Sequence, residues 1–244
     1  MFAIFKKEIN TFFSTSIGYL IIILFLLINS LLMWVFPSYY NVLDSGYSQM
    51  DSLFIFAPLI FLIFIPAITM RLFSEEQKTG TIELILTKPI SEIELIIAKY
   101  LSGLILIILS IIPTIIYYIS IYFIGEIKGN IDTPGIIGSY IGLFFLSSGF
   151  VSIGLFCSIL SKNQIISFIL SLLISSFFYL GFDIIASFIN NGDIEILIEN
   201  LSINYHYQSL SKGVIDSRDL VYFISINIFF ILLSKNVLIN RKFS

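Results

Sequence analysis

Long apolar stretches alternate with short polar segments along the whole chain. Five of these stretches carry no charged residue, and they lie at 17–36, 53–70, 101–124, 133–161 and 163–182. A helix needs about 20 apolar residues to cross roughly 30 Å of hydrocarbon, so each stretch is long enough to span a bilayer. A sixth stretch, 220–234, is shorter and reaches spanning length if Lys235 extends its ammonium toward the headgroups. The pattern predicts six transmembrane helices.

The segment before the first span has a different pattern. Its charged residues Lys6, Lys7 and Glu8 lie away from its apolar residues on a helical wheel. Those apolar residues are Phe2, Phe5, Ile9, Phe12 and Phe13. The segment therefore predicts an amphipathic helix that lies on the membrane surface.

Together these patterns predict an all-α integral membrane protein with one transmembrane domain over residues 1–244. It has an N-terminal interfacial helix at 2–14, six transmembrane helices, and a short cytoplasmic helix between spans two and three. The spans are predicted at about 17–36, 53–70, 98–124, 136–160, 164–187 and 220–239, with a cytoplasmic segment at 72–91 and an outer segment at 184–219.

Composition excludes a water-soluble protein. Hydrophobic residues make up 57% of the chain and charged residues 12%, and the mean hydropathy is +1.00. The chain has too few polar groups to cover a folded surface in water. The excess of apolar residues must therefore face lipid. The net charge of −3 argues against nucleic acid as a partner, and a single cysteine, Cys157, forms neither an internal disulfide nor a metal site alone.

The distribution of basic residues predicts the orientation. Ten of the 13 Lys and Arg residues lie before span one, between spans two and three, between spans four and five, or at the end of span six. Ten of the 16 acids, from Asp44 to Asp219, lie on the other side. By the positive-inside rule the basic side is cytoplasmic, so both termini are predicted to be inside.

Candidate catalytic residues are few. Asp183 is interpreted as a carboxylate that ends span five at the interface, without a nearby partner. His206, the single histidine, has no further His or Cys to complete a zinc site, and loop packing is favoured over catalysis. A phosphate-binding Gly-rich loop with Lys-Ser/Thr is also absent from the sequence. The sequence thus predicts a protein without a catalytic, cofactor-binding or metal site.

Two groups of small residues have two possible interpretations. Ser167, Ser171 and Ser175 recur every four residues on span five, and Gly138 and Gly142 open span four. Small residues at this spacing usually let helices pack closely. The alternative is that the serines line a substrate path.

The cytoplasmic segment contains local helix signals. Ser74 with Gln77 and Ser91 with Glu94 fit the Ser-x-x-Glu/Gln capping pattern, and a short helix is expected to begin near Thr81. In that helix three residues share an apolar face suited to docking: Ile82, Ile85 and Leu86. A solvated connector is the alternative interpretation.

Residues 73–91 read Phe-Ser-Glu-Glu-x-x-x-Gly-Thr-Ile-Glu-x-Ile-Leu-Thr-x-Pro-Ile-Ser. This stretch resembles the cytoplasmic signature of ABC-2-type transporter permeases. Residues 211–222, Ser-Lys-Gly-Val-Ile-Asp-Ser-Arg-Asp-Leu-Val-Tyr, resemble the entry to the last span in the gliding-motility-associated permease subunits of that family. With six spans and the interfacial helix, the resemblance covers essentially the whole chain.

The resemblance implies a non-catalytic permease subunit in a bacterial inner membrane. Its partners would be a separate ABC ATPase subunit that binds ATP and Mg, a second permease-like subunit or a second copy, and membrane lipid. The coupling helix after span two would contact the ATPase, with these positions carried over: Glu76, Gly80, Thr81, Glu83, Pro89 and Ser91. The outer family motif carries over at Gly213, Asp216 and Asp219.

Two other functions remain open from sequence alone. An ion-coupled secondary transporter would need paired carboxylates or a broken helix at mid-membrane, and the uncharged spans count against it. A structural membrane anchor would need no nucleotide hydrolysis. The substrate is not predicted, because apolar lining residues accept many ligands.

Overall fold

The computed structural model describes residues 1–126, 128–189 and 192–242, and every regular element in these residues is a helix. In chain order the α-helices are α1 Phe2–Ser14, α2 Ser16–Ser30, α3 Asp51–Thr69, α4 Arg71–Lys78, α5 Thr81–Leu86, α6 Glu92–Ile111, α7 Ile115–Ile124, α8 Thr133–Leu160, α9 Gln164–Ser176, α10 Phe182–Ser187, α11 Gly192–Glu199, α12 Ile203–Ser211 and α13 Ser217–Lys242. Single turns of π-helix extend α2 through Leu31–Val35 and join α9 to α10 through Phe177–Gly181, and the 3₁₀ turn Ile112–Thr114 joins α6 to α7.

The prediction of six transmembrane helices is confirmed. Within the described residues, six helical stretches are long and apolar enough to cross a membrane: Ser16–Val35, Asp51–Lys78, Glu92–Ile124, Thr133–Leu160, Gln164–Ser187 and Ser217–Asn240. Successive spans run in opposite directions, so the loops divide between two ends. We call the end with α1 and α5 the α5 end, and the end with α10, α11 and α12 the α12 end.

Span four, formed by α8, is the central helix of the bundle. In the apolar 18-residue part of span four, 78% of the residues are buried. In the corresponding part of span five, 22% of the residues are buried. Its small residues allow this central position, because a side chain at Gly138 would collide with the carbonyl of Leu210 and one at Gly142 would press on Tyr207. Close helix packing, the favoured interpretation of these glycines, is confirmed.

The serine stripe of span five is also buried. Ser167, Ser171 and Ser175 are each 0% exposed. A side chain at Gly154 of α8 would meet both Thr69 of α3 and the hydroxyl of Ser171, so the stripe faces the contact between three spans. This position favours the packing interpretation over a substrate path.

Of the three predicted helix starts, those near Thr81 and at Ser91 are confirmed and that at Ser74 is wrong. Ser91 caps α6 as expected, because its hydroxyl accepts from the Glu94 N–H while the Glu94 carboxylate accepts from the Ser91 N–H. Ser74 caps nothing, since it lies inside α4 and its hydroxyl donates to the carbonyl of Met70. Span two therefore continues through α4 to Lys78.

Candidate functional site

A sharp turn separates α4 from α5 at the α5 end. Gly80 adopts φ +72°, in the left-handed region that glycine enters without a Cβ penalty. α4 therefore ends and the six-residue helix α5 begins in a new direction. The short α5 is held between this glycine turn and the capped start of α6.

The two faces of α5 have different environments. Ile82 is 4% exposed, and Ile85 and Leu86 pack against the core, so the predicted apolar face points inward. On the opposite face Glu83 is exposed and Leu84 is 67% exposed. We call the outward residues Thr81, Glu83, Leu84 and Thr87 the α5 surface. The α5 surface thus presents one apolar and one charged side chain on the side away from the core.

The residues predicted to contact an ATPase divide into two groups. Five of them are exposed around α5, namely Gly80, Thr81, Glu83, Pro89 and Ser91. Glu76 is different, because it is only 8% exposed. Its carboxylate faces the interior of the protein.

Glu76 belongs to a group of four charged side chains that we call the Lys99 cluster. Lys99, on α6, is 0% exposed, and its Nζ lies 2.9 Å from Oε1 of Glu8 and 3.0 Å from Oε2 of Glu76. Lys7 donates to Oε1 of Glu76 at 2.6 Å and lies 3.5 Å from Glu8. The two positive charges of Lys7 and Lys99 thus equal the two negative charges of Glu8 and Glu76.

Further contacts compensate the burial of Lys99. Its ammonium donates to the carbonyl of Leu72 at 2.5 Å and lies 4.9 Å from the ring centre of Phe73. The contact with Oε2 of Glu76 is close but not aligned as a hydrogen bond, so this oxygen is held by charge alone. A buried ammonium persists only when it is paired and hydrogen-bonded, and these contacts meet that requirement.

Lys7 is the exposed member of the Lys99 cluster, with 55% of its side chain accessible. Partial burial lowers the pKa of Lys7, but the hydrogen bond and charge of Glu76, with smaller contributions from Glu8, outweigh that effect. The net pKa lies above the ordinary value, so Lys7 stays an ammonium.

The Lys99 cluster joins three elements. Lys7 and Glu8 come from α1, Glu76 from α4 and Lys99 from α6. The predicted polar side of α1 is therefore partly buried, and α1 also packs its Phe12 ring under the Arg71 guanidinium at 4.6 Å. This cluster was not predicted from the sequence, where the only signal is that each residue lies outside the uncharged apolar stretches.

At the α12 end, the predicted outer segment contains three helices. α12 lies against α8, and the hydroxyl of Tyr207 donates to the carbonyl of Phe54 in span two at 2.7 Å. Burial raises the pKa of Tyr207 well above its usual value, with a further contribution from the nearby Tyr179, so the phenol keeps its proton. Beside Tyr207 lies a cavity of about 380 Å³, whose walls include Asp51, Ser139 and Gln208.

Three acidic residues at the α12 end have specific partners. Asp183 accepts a hydrogen bond from the amide of Asn204 at 2.8 Å, so the prediction that it lacks a nearby partner is wrong. Asp219 is 4% exposed and pairs with His206 at 2.6 Å, although 13 positions separate the two residues. Asp216 accepts from the backbone N–H of Arg218 at 2.8 Å.

Gly213 is the remaining residue of the outer family motif. It adopts φ +80°, and a Cβ there would press on the backbone of Gly135 at 2.9 Å. Gly213 thus allows the turn after α12 to approach the start of α8, which brings the beginning of α13 near His206.

Comparison with protein families places the chain beside a known family. A family model described as ABC-2 family transporter protein matches residues 2–238. A comparison with curated proteins finds no match.

Proposed function

The chain belongs to the ABC-2 family of transporter proteins, and from this membership we propose that it is a permease subunit that couples ATP hydrolysis by a separate ATPase to export or mechanical work. The protein is a multi-pass membrane protein with six apolar helices. We assign its α5 end to the cytoplasm because of the ten-to-three distribution of basic residues. We assign the membrane as a bacterial inner membrane because the chain resembles ABC-2-type permeases of that membrane.

The α5 surface is the observation that carries this proposal. The inward residues of α5 fix the helix to the protein, and Glu83 and Leu84 remain free to meet a partner. In the proposed complex Leu84 enters an apolar pocket of the ATPase, and Glu83 pairs with a basic group at its rim. ATP and Mg are then bound by the ATPase, and this chain binds no cofactor.

The Lys99 cluster supports transmission of movement from α5 to the spans. α4 continues span two, and Glu76 on α4 is fixed to α6 of span three and to α1. Separating these elements would leave a charge buried without its partner, which costs several kcal/mol. A displacement of α5 therefore moves α1 and spans two and three together. We assign Glu76 to this connection rather than to direct ATPase contact.

A second permease copy or a related subunit completes the proposed assembly. Less than a third of the residues are buried in the apolar 18-residue part of each of spans one, five and six. These three helices therefore face lipid or another subunit. A more specific proposal is that the complex performs mechanical work in gliding motility. It is supported by the resemblance of residues 211–222 to the gliding-associated permeases.

Purification of the native assembly in mild detergent, followed by mass spectrometry and an ATP-hydrolysis assay, tests the proposed function. We expect an ABC ATPase to co-purify with the chain and to hydrolyse ATP. Transport driven by an ion gradient without an ATPase would favour an ion-coupled carrier. A stable complex without transport or hydrolysis would favour a structural anchor.

The proposed orientation predicts opposite labelling of two cysteine variants. Tyr47 is 72% exposed at the α12 end, and Thr79 is exposed at the α5 end. We expect an impermeant maleimide to label Tyr47→Cys in intact cells and Thr79→Cys only after permeabilisation. Cys157 is buried, so the native cysteine gives little background. Labelling in the reverse order would invert the topology.

A further inference from the structure

His206 has a hydrogen-bond acceptor at each ring nitrogen. Its Nδ1 lies 2.6 Å from Oδ1 of Asp219, and its Nε2 lies 2.9 Å from the carbonyl oxygen of Asn200. A carbonyl oxygen accepts only, and so does an ionised carboxylate, whereas a neutral imidazole donates from one nitrogen. Both contacts are satisfied together only if the His206–Asp219 pair holds one proton more than a neutral histidine beside a carboxylate.

The surroundings of the pair fit this extra proton. His206 is 7% exposed and Asp219 is 4% exposed, so water does little to solvate either group. The His206 ring stacks on Tyr222 with centroids 3.9 Å apart, an arrangement that favours a cationic ring. Oδ2 of Asp219 is buried and has no hydrogen-bond partner among the described residues, so His206 is the contact that compensates this carboxylate.

The pair connects three helices at the α12 end. Asn200 directly follows α11, His206 lies in α12, and Asp219 lies in the first turn of α13. α12 in turn forms one wall of the cavity beside Tyr207 and holds span two through the carbonyl of Phe54. Loss of either His206 contact would release α12 from a neighbouring helix.

We propose that the His206–Asp219 pair is a proton-dependent latch that holds α12 over the cavity. When the extra proton leaves, a neutral His206 donates either to Asp219 or to Asn200, and its other nitrogen turns a lone pair toward an acceptor. α12 is therefore held firmly while the extra proton is bound and loosened when rising pH removes it. The latch itself needs no ATPase, and its location on the outer side of the membrane rests on the proposed orientation.

Other titratable groups near α12 do not replace His206 in this response. They are Asp51 of α3, Tyr179 before α10, Asp183 of α10, Tyr205 of α12 itself and Tyr222 of α13. Where α12 meets α8, the facing residues are Gly138, Ser139 and Gly142. Carboxylates and phenols ordinarily change charge below about pH 5 or above about pH 9, outside the range of histidine.

Hydrogen exchange of the full chain in lipid nanodiscs tests the latch. After correction for intrinsic exchange, we expect amide protection in 203–211 to fall about tenfold between about pH 5.5 and about pH 8.5. In His206→Gln the protection should be low at both pH values, and the pH step should disappear. Asp183→Asn, which changes the carboxylate bonded to Asn204, is the matched control and should keep the step.

A second measurement on the unaltered protein keeps the test independent of whether the variant folds. His206 is the single histidine, so ring ¹⁵N labelling reports one imidazole. We expect the ring to lose its proton at the same midpoint pH at which 203–211 loses protection. The latch is overturned if protection does not change with pH, if the step survives in His206→Gln, or if the two midpoints differ. None of these outcomes depends on co-purification of an ATPase.

Discussion

Replacing Lys99 with methionine should lower the free energy of unfolding by about 3–5 kcal/mol, because Glu8 and Glu76 then share only the half-exposed Lys7 and one buried negative charge is left uncompensated. Methionine has a similar volume, so the loss reflects charge rather than a cavity. Unfolding in mixed micelles, followed by helical circular dichroism, measures the change. Of the substitutions proposed for this chain, this one has the largest expected effect on stability.

Two further variants separate charge from packing. Lys88→Met removes an exposed lysine near α5 and should change stability by less than about 0.5 kcal/mol. Adding Glu8→Gln and Glu76→Gln to Lys99→Met removes the buried carboxylate charges and should recover most of the lost unfolding free energy. The reason is that a buried ion pair adds little stability over neutral groups of the same shape. If Lys99→Met is as stable as Lys88→Met, the cluster does not hold α1, α4 and α6 together.

The second large effect is expected at the α5 surface. Changing Glu83 to Lys and Leu84 to Glu reverses one charge and places another where an apolar contact is proposed. We expect the affinity for the ATPase to fall by at least about 100-fold, or roughly 3 kcal/mol, as for central interface residues. Co-purification and stimulated ATP hydrolysis measure the loss. Both side chains are exposed, so membrane insertion and the unfolding free energy should stay close to their original values.

The α12 end offers a matched control for this double variant. Leu43 is 60% exposed and Asp44 beside it is exposed, so Leu43→Glu with Asp44→Lys makes the same chemical changes at the opposite end. This control should retain the ATPase and full hydrolysis. Equal loss in both double variants would indicate a general effect on assembly, and retention in both would favour the solvated-connector interpretation of α5.

The six spans could be predicted because transmembrane helices depend on length and apolar composition, which are local properties of the sequence. The end of span two was harder to predict. The polar residues from Arg71 to Lys78 suggested a separate helix that starts at Ser74, but they continue span two, and Ser158 of α8 accepts from the N–H groups of Phe73 and Ser74 at 2.9 and 3.1 Å. A bond between positions 85 apart leaves no local signal.

The candidate site could be predicted only in part for the same reason. Gly80 and the inward face of α5 follow from local patterns, since glycine favours positive φ and apolar residues at helical spacing share a face. The burial of Glu76 depends on Lys99, and Lys99 in turn contacts Glu8, which is 91 positions away. The pairing of His206 with Asp219 depends on the turn at Gly213. A single sequence contains no record of such contacts.

Photo-crosslinking from position 84 in living cells tests most directly whether α5 receives the ATPase. A benzophenone amino acid in place of Leu84 should crosslink to a soluble ABC ATPase, and the same amino acid in place of Leu43 should not. We expect a crosslinked ATPase from position 84 alone. A crosslink to the ATPase from position 43, or none from position 84 in a complex that still hydrolyses ATP, would contradict it.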